Sequence, residues 1–144
     1  MQSGAHIRLV LWKTAKAVET VDRASIRQTG LNLTDFMILE ALLHKGSMPV
    51  NTIAGKVLLT SGSMTAAINR LTEKGFVERR QDETDRRCFQ VDLTPAGREL
   101  IEAAYARHEK NLEMMVDVLT EVEREELVRL LKKLGRHSEA LRVG

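Results

Sequence analysis

A chain of 144 residues, 43% hydrophobic and 29% charged, has room for one ordinary folded domain and is too apolar to be a disordered segment. Its single cysteine excludes an internal disulfide and suits a reducing cytoplasm, and no run is long and apolar enough for a membrane span or a secretion signal. The net charge of +2 divides into +2 over residues 1–49, +2 over 50–90 and −2 over 91–144, which permits an anionic partner near the middle without requiring one.

Only 3% of residues are aromatic and two are proline, which favours helices packed with Leu, Met, Ala and Val over a sheet-rich fold. Ile7, Val10, Leu11, Thr14, Val18 and Val21 recur at helical spacing and predict an amphipathic helix over roughly 5–28, punctuated by Gly30. LNLTDFMILEALLHKG predicts a second helix, capped by Thr34 and ended at Gly46. Its apolar residues Phe36, Met37, Ile38, Leu39, Leu42 and Leu43 cover more than one stripe, so this helix is central. Pro49 is predicted in the first turn of a short third helix, where its missing donor costs nothing. LTSGSMTAAINRLTEKG predicts a fourth helix, capped by Thr60 or Ser61, with Met64, Ile68 and Leu71 facing inward and Gly75 closing it. The tight LLTS connection gives helices three and four the outline of a helix-turn-helix.

After Gly75, FVERR and CFQVDL alternate apolar and polar residues around QDETDR, which predicts a β-hairpin. Thr94 and Pro95 open a further helix reaching about 119, and Thr120 with Glu123 forms a capping box for the last. The expected fold is mainly α: a winged helix-turn-helix with a two-stranded wing, flanked by N- and C-terminal helices. It is one domain over 1–144, with a winged-helix lobe at about 30–94 and a helical dimerisation lobe at about 1–29 and 95–144. The apolar stripes of the terminal helices exceed what one helical layer covers, so a second copy is expected to bury them across a two-fold axis. A tighter monomeric bundle is the alternative.

A helix enters the major groove of DNA if its leading face carries small or polar side chains that reach base edges. Ser61, Ser63, Thr65 and Asn69 can hydrogen-bond bases or phosphates, the alanines allow close approach, and Arg70 can grip a phosphate or a guanine. The hairpin tip carries Arg86 and Arg87, and arginine suits the narrow, negative minor groove. Asp85 makes sense at such a tip if it pairs with Arg87 and orients the guanidinium. The plainer alternatives are a capped surface helix and a solvated loop.

SGSMTAAINRLTEKGFVERRQDETDRRCFQVDLTPAGREL resembles the MarR family of winged-helix transcription regulators in its polar helix start, RLTEKG, the Asp-x-Arg of Asp85 and Arg87, and the LTPAG that follows. The resemblance implies a cytoplasmic homodimer on a palindromic double-stranded operator, a repressor released by a small phenolic or oxidant signal. It implies recognition-helix roles for Ser61, Ser63, Thr65, Asn69 and Arg70, a minor-groove role for Arg87 and a phosphate contact for Arg86. GLNLTDFMILEALLHKG and KVLLTSGSMT look closest to members that answer quinones or related aromatics.

Trp12, Phe36, Met37 and Tyr105, with Met114 and Met115, could line an effector pocket between the arms and the winged helix, although apolar residues at helical spacing also make plain core. Cys88 adjoins Arg87, whose guanidinium would lower a thiol pKa and favour oxidant sensing; an unreactive strand residue is the alternative. The four histidines are scattered without metal-binding spacing and are expected at the surface or an interface, so no metal or other cofactor is expected. No nucleophile with an adjacent base and no glycine-rich phosphate loop points to an enzyme. The rival reading is a winged-helix module that binds protein instead of DNA, which would place apolar anchors on the fourth helix's outer face.

Overall fold

The computed structural model describes residues 1–57 and 61–144. Among the described residues the order is α1 (Gly4–Gln28), α2 (Leu33–Lys45), β1 (Met48–Pro49), α3 (Val50–Val57), α4 (Ser61–Glu73), β2 (Val77–Gln81), β3 (Phe89–Leu93), α5 (Pro95–Val116) and α6 (Glu121–Ala140). The predicted six helices and hairpin are present.

The differences lie at element ends. Asn32, not Thr34, caps α2: its side chain accepts from the Asp35 N–H at 2.8 Å, which leaves Thr34 inside the first turn. Pro49 does not open α3. It sits in β1, which pairs with β3 through Met48 opposite Val91 and Pro49 opposite Gln90. β1 is an edge strand in the order β1-β3-β2, the place in a sheet where a residue without an N–H is tolerated. The wing therefore gains a third strand at its base, and two residues are too few to show alternation. α5 ends at Val116, short of the expected 119. The caps of α5 and α6 match expectation: Thr94 accepts from the Gly97 N–H at 3.0 Å, and Thr120 and Glu123 form the reciprocal box. Thr60 and the side chain of Ser61, both candidate caps for α4, lie outside the described residues.

The core is built around α2, whose Phe36, Ile38, Leu39 and Leu42 are fully enclosed. Ile53 of α3, Met64, Ile68 and Leu71 of α4, Val77 and Val91 of the sheet and Ile101 of α5 close around them. Each such side chain contributes roughly 1.5–3 kcal/mol by leaving water. This packing sets α4 and the wing on one rigid body.

α1 joins that body through a buried polar chain. His108 of α5 is 3% exposed, a correction to the expectation that every histidine lies at a surface or interface. Asn111 Nδ2 donates to Ser25 Oγ at 2.9 Å, Ser25 Oγ lies 2.8 Å from His108 Nδ1, and His108 Nε2 lies 3.2 Å from Asp22 Oδ1. The Ser25 hydroxyl can accept from Asn111 and donate to His108 Nδ1, an arrangement in which Nε2 donates to Asp22. The ring stands edge-on to Phe36, 4.9 Å between centroids, which ties α1, α2 and α5 together. α6 is different: among the described residues none of its side chains is buried, and Leu127, Leu130, Leu131 and Leu134 stand exposed.

Candidate nucleic-acid interface

α4 buries Met64, Ala67, Ile68 and Leu71 and turns Gly62, Ser63, Thr65, Ala66 and Asn69 outward. Among its described residues the outer face has hydroxyls, an amide and small side chains but no large apolar anchor. Met64, the one residue that could have served a protein-binding face, is inside. The helix is held at its C-terminal half from two sides. Arg70 donates to Asp35 through Nη2 at 2.5 Å and Nε at 3.4 Å, and Arg79 of β2 donates to Asn69 Oδ1 at 2.5 Å. Asn69 and Arg70 thus both make bonds within the protein.

The wing tip is ordered by its acids. Asp82 accepts from the Thr84 N–H and hydroxyl at 2.8 and 2.7 Å and from the Gln90 amide at 2.9 Å. The Gln90 bond, followed by those from Thr84, holds the Asp82 carboxyl far below the usual carboxylate range. Asp85 Oδ1 accepts from the Arg87 backbone N–H at 3.1 Å and from Arg87 Nε at 3.2 Å. Those bonds lower its pKa as well, the backbone one most. The Arg87 side chain is 91% exposed, so its fork is steered at the root and free at the end. Arg86 is exposed beside it.

The sequence profile of the MarR family matches residues 31–89, from just before α2 to the first residue of β3. The HTH-type transcriptional regulator MhqR of Bacillus subtilis is 34% identical over 127 residues, covering 88% of each chain. The chain belongs to the MarR family. As a MarR-family protein it is a DNA-binding transcription regulator and not an enzyme. Two solved structures share the fold. Bordetella bronchiseptica BpsR, whose DNA binding is regulated by 6-hydroxynicotinic acid, superposes with a TM-score of 0.72 at 25% identity, covering 87% of this chain and 98% of that one. A mutant of E. coli MarR complexed with operator DNA gives 0.74 at 20% identity over 89% and 92%.

The other expected residues of this MarR-family chain do not converge. Phe36 is core. Met37 lines a recess of about 350 Å³ with Glu40, Ala41, His44, Lys45, Lys56 and Val57, and Tyr105 stands edge-on to His44 at 4.6 Å. Trp12 is exposed on α1 beneath the Arg8 guanidinium and does not line that recess. Met114 and Met115 line a separate recess between α1 and α5. Cys88 is exposed, but its thiol pKa is raised, chiefly by the negative charge of Asp85, whose Oδ2 lies 3.7 Å from Sγ. That reverses the direction expected from Arg87, because the carboxylate that orients the guanidinium also lies against the thiol. Among the described residues no cluster of three His, Cys, Asp or Glu is placed to hold a metal. Among them, too, no helix is long and apolar enough to cross a membrane.

Asp35, Arg79, Asp82 and Gln90 hold the interface in shape, yet none was singled out from sequence. Apart from the Thr84 contacts of Asp82, the bonds by which they do so run to partners 8 to 35 positions away.

Proposed function

We propose that the chain is a homodimeric cytoplasmic repressor that lays α4 of each subunit in successive major-groove faces of a palindromic operator and sets Arg87 of each wing into the flanking minor groove. The observation that carries the reading is the outer face of α4, small and hydroxyl-bearing, on the same rigid body as an arginine-tipped wing whose acids restrain it. Ser61, Ser63 and Thr65 lead the helix toward base edges, and Arg86 meets the backbone. Dimerisation is supported by the exposed apolar residues of α1 and α6, Ile7, Leu11, Leu131 and Leu134 among them, which line one groove between the two helices. A small phenol or aromatic acid is the proposed effector, because the recess beside Met37 is lined by apolar Met37, Ala41 and Val57 and by Lys45 and Lys56, with Glu40 and His44 completing its wall.

A gel shift with the DNA upstream of the protein's own gene tests this. Affinity should fall steeply with added salt, because phosphate contacts release counterions. Arg87→Ala should weaken binding by tenfold or more, roughly 1.4 kcal/mol at least, without changing helical content. In the same assay phenols and salicylate-like acids should release the complex. Unchanged affinity for Arg87→Ala would remove the wing from the reading.

A further inference from the structure

We propose that Asp35, enclosed at the start of α2, is a positioning residue for DNA binding, and that Arg70 serves the interface through this carboxylate and not through DNA. The inference rests on the DNA-binding reading and adds a task for a residue outside the interface.

Asp35 is 2% exposed, and both its carboxylate oxygens accept from one guanidinium. A pairing that uses both Nε and Nη2 fixes the orientation of the arginine as well as its distance, which a single contact does not. Arg70 is one helical position from Asn69, about 100° around α4. Asn69 accepts from Arg79 of β2, so successive residues tie the recognition helix to α2 on one side and to the wing on the other. The angle between α4 and the wing tip, on which simultaneous entry into two grooves depends, is set by these two tethers as well as by the apolar core.

The alternative use of Arg70, a phosphate or guanine contact, meets a physical obstacle. Its side chain is 40% exposed and could turn outward, but it would leave behind a carboxylate sealed from water. A buried charge that loses its partner is strongly penalised, whereas the arginines of the wing tip approach DNA with no such cost. Competition between the two uses favours the buried one.

The test takes a duplex selected by the wild-type protein from a random library, and compares its affinity with that of an unrelated duplex across a salt series. The variants are Asp35→Ala and Asp35→Ala/Arg70→Ala, checked for folding by circular dichroism. If Asp35→Ala does not fold, Leu, the apolar isostere of Asp, replaces Ala in both. Removing Asp35 should lower affinity for the selected duplex about tenfold, leave the unrelated duplex within about twofold, and leave the salt slope unchanged, because no phosphate contact is lost. Adding Arg70→Ala should cost nothing further. Wild-type affinity in the first variant overturns the proposal. So does a further loss in the second with a salt slope smaller by about one per lost contact. If wild-type protein enriches no duplex at all, the DNA-binding reading itself falls and takes the proposal with it. If it enriches one and the variants behave as wild type, the proposal alone falls.

Discussion

The charged tip of the wing is explained residue by residue. In the proposed DNA-binding reading its arginines are the probe, and its acids are the frame: Asp82 closes the turn on Thr84 and Gln90, and Asp85 steers Arg87. Both carboxyls have lowered pKa values in the folded protein, so the order they confer is complete above the ordinary carboxylate value and is lost only as pH falls through the lowered ones. The amide signals of Thr84 and Arg87 in an NMR titration should therefore stay in place as pH drops past about 4, the ordinary aspartate value, and move only below it. A midpoint at the ordinary value would mean the tip is not held by these bonds. The same Asp85 charge disfavours the thiolate of Cys88, which argues against that cysteine as a fast-reacting thiol.

At the scale of elements, the junction between wing and α5 has no slack. A Cβ placed on Gly97 would lie 1.8 Å from the carbonyl oxygen of Phe76, which already accepts from the Thr94 N–H at 3.1 Å. The Thr94 hydroxyl donates to the Gly75 carbonyl at 2.6 Å while accepting from Gly97, so the start of α5 is laced to the turn that follows α4. Gly97→Ala must separate two backbone segments. The expected cost is about 1–3 kcal/mol, seen as a lower urea midpoint with an unchanged slope. A variant as stable as wild type would show that α5 can shift away freely. The glycine of LTPAG thus has a steric reason, which the sequence pattern alone does not supply.

For the whole molecule, the imbalance is at the arms. α6 carries a leucine stripe with no buried member among the described residues, and a continuous apolar stripe left exposed along a 20-residue helix marks a surface for association. Leu130→Asp leaves the winged-helix core untouched, since that side chain lies outside it. If the proposed homodimer forms through this stripe, the substitution should convert a sedimenting dimer to monomer and lower operator affinity by about a hundredfold, because two linked half-sites bind far more tightly than one. A variant that remains dimeric and binds normally would place the interface elsewhere.

Local rules of the chain were enough for the order of elements, the inward face of α4, the glycine stops and the caps of the last two helices, because periodicity, capping and turn chemistry act over a few neighbouring residues. They were enough also for the Asp85–Arg87 pair, two positions apart. They did not reach the strand at Met48–Pro49, the burial of His108 against Ser25 and Asp22, or the Asp35–Arg70 tether, in each of which the partners lie tens of residues apart. Nor did they foresee that Phe36 and Trp12 would part, one into the core and one into solvent. Such meetings depend on how the helices stack, and a buried polar residue announces its partner only once packing has excluded water from around it.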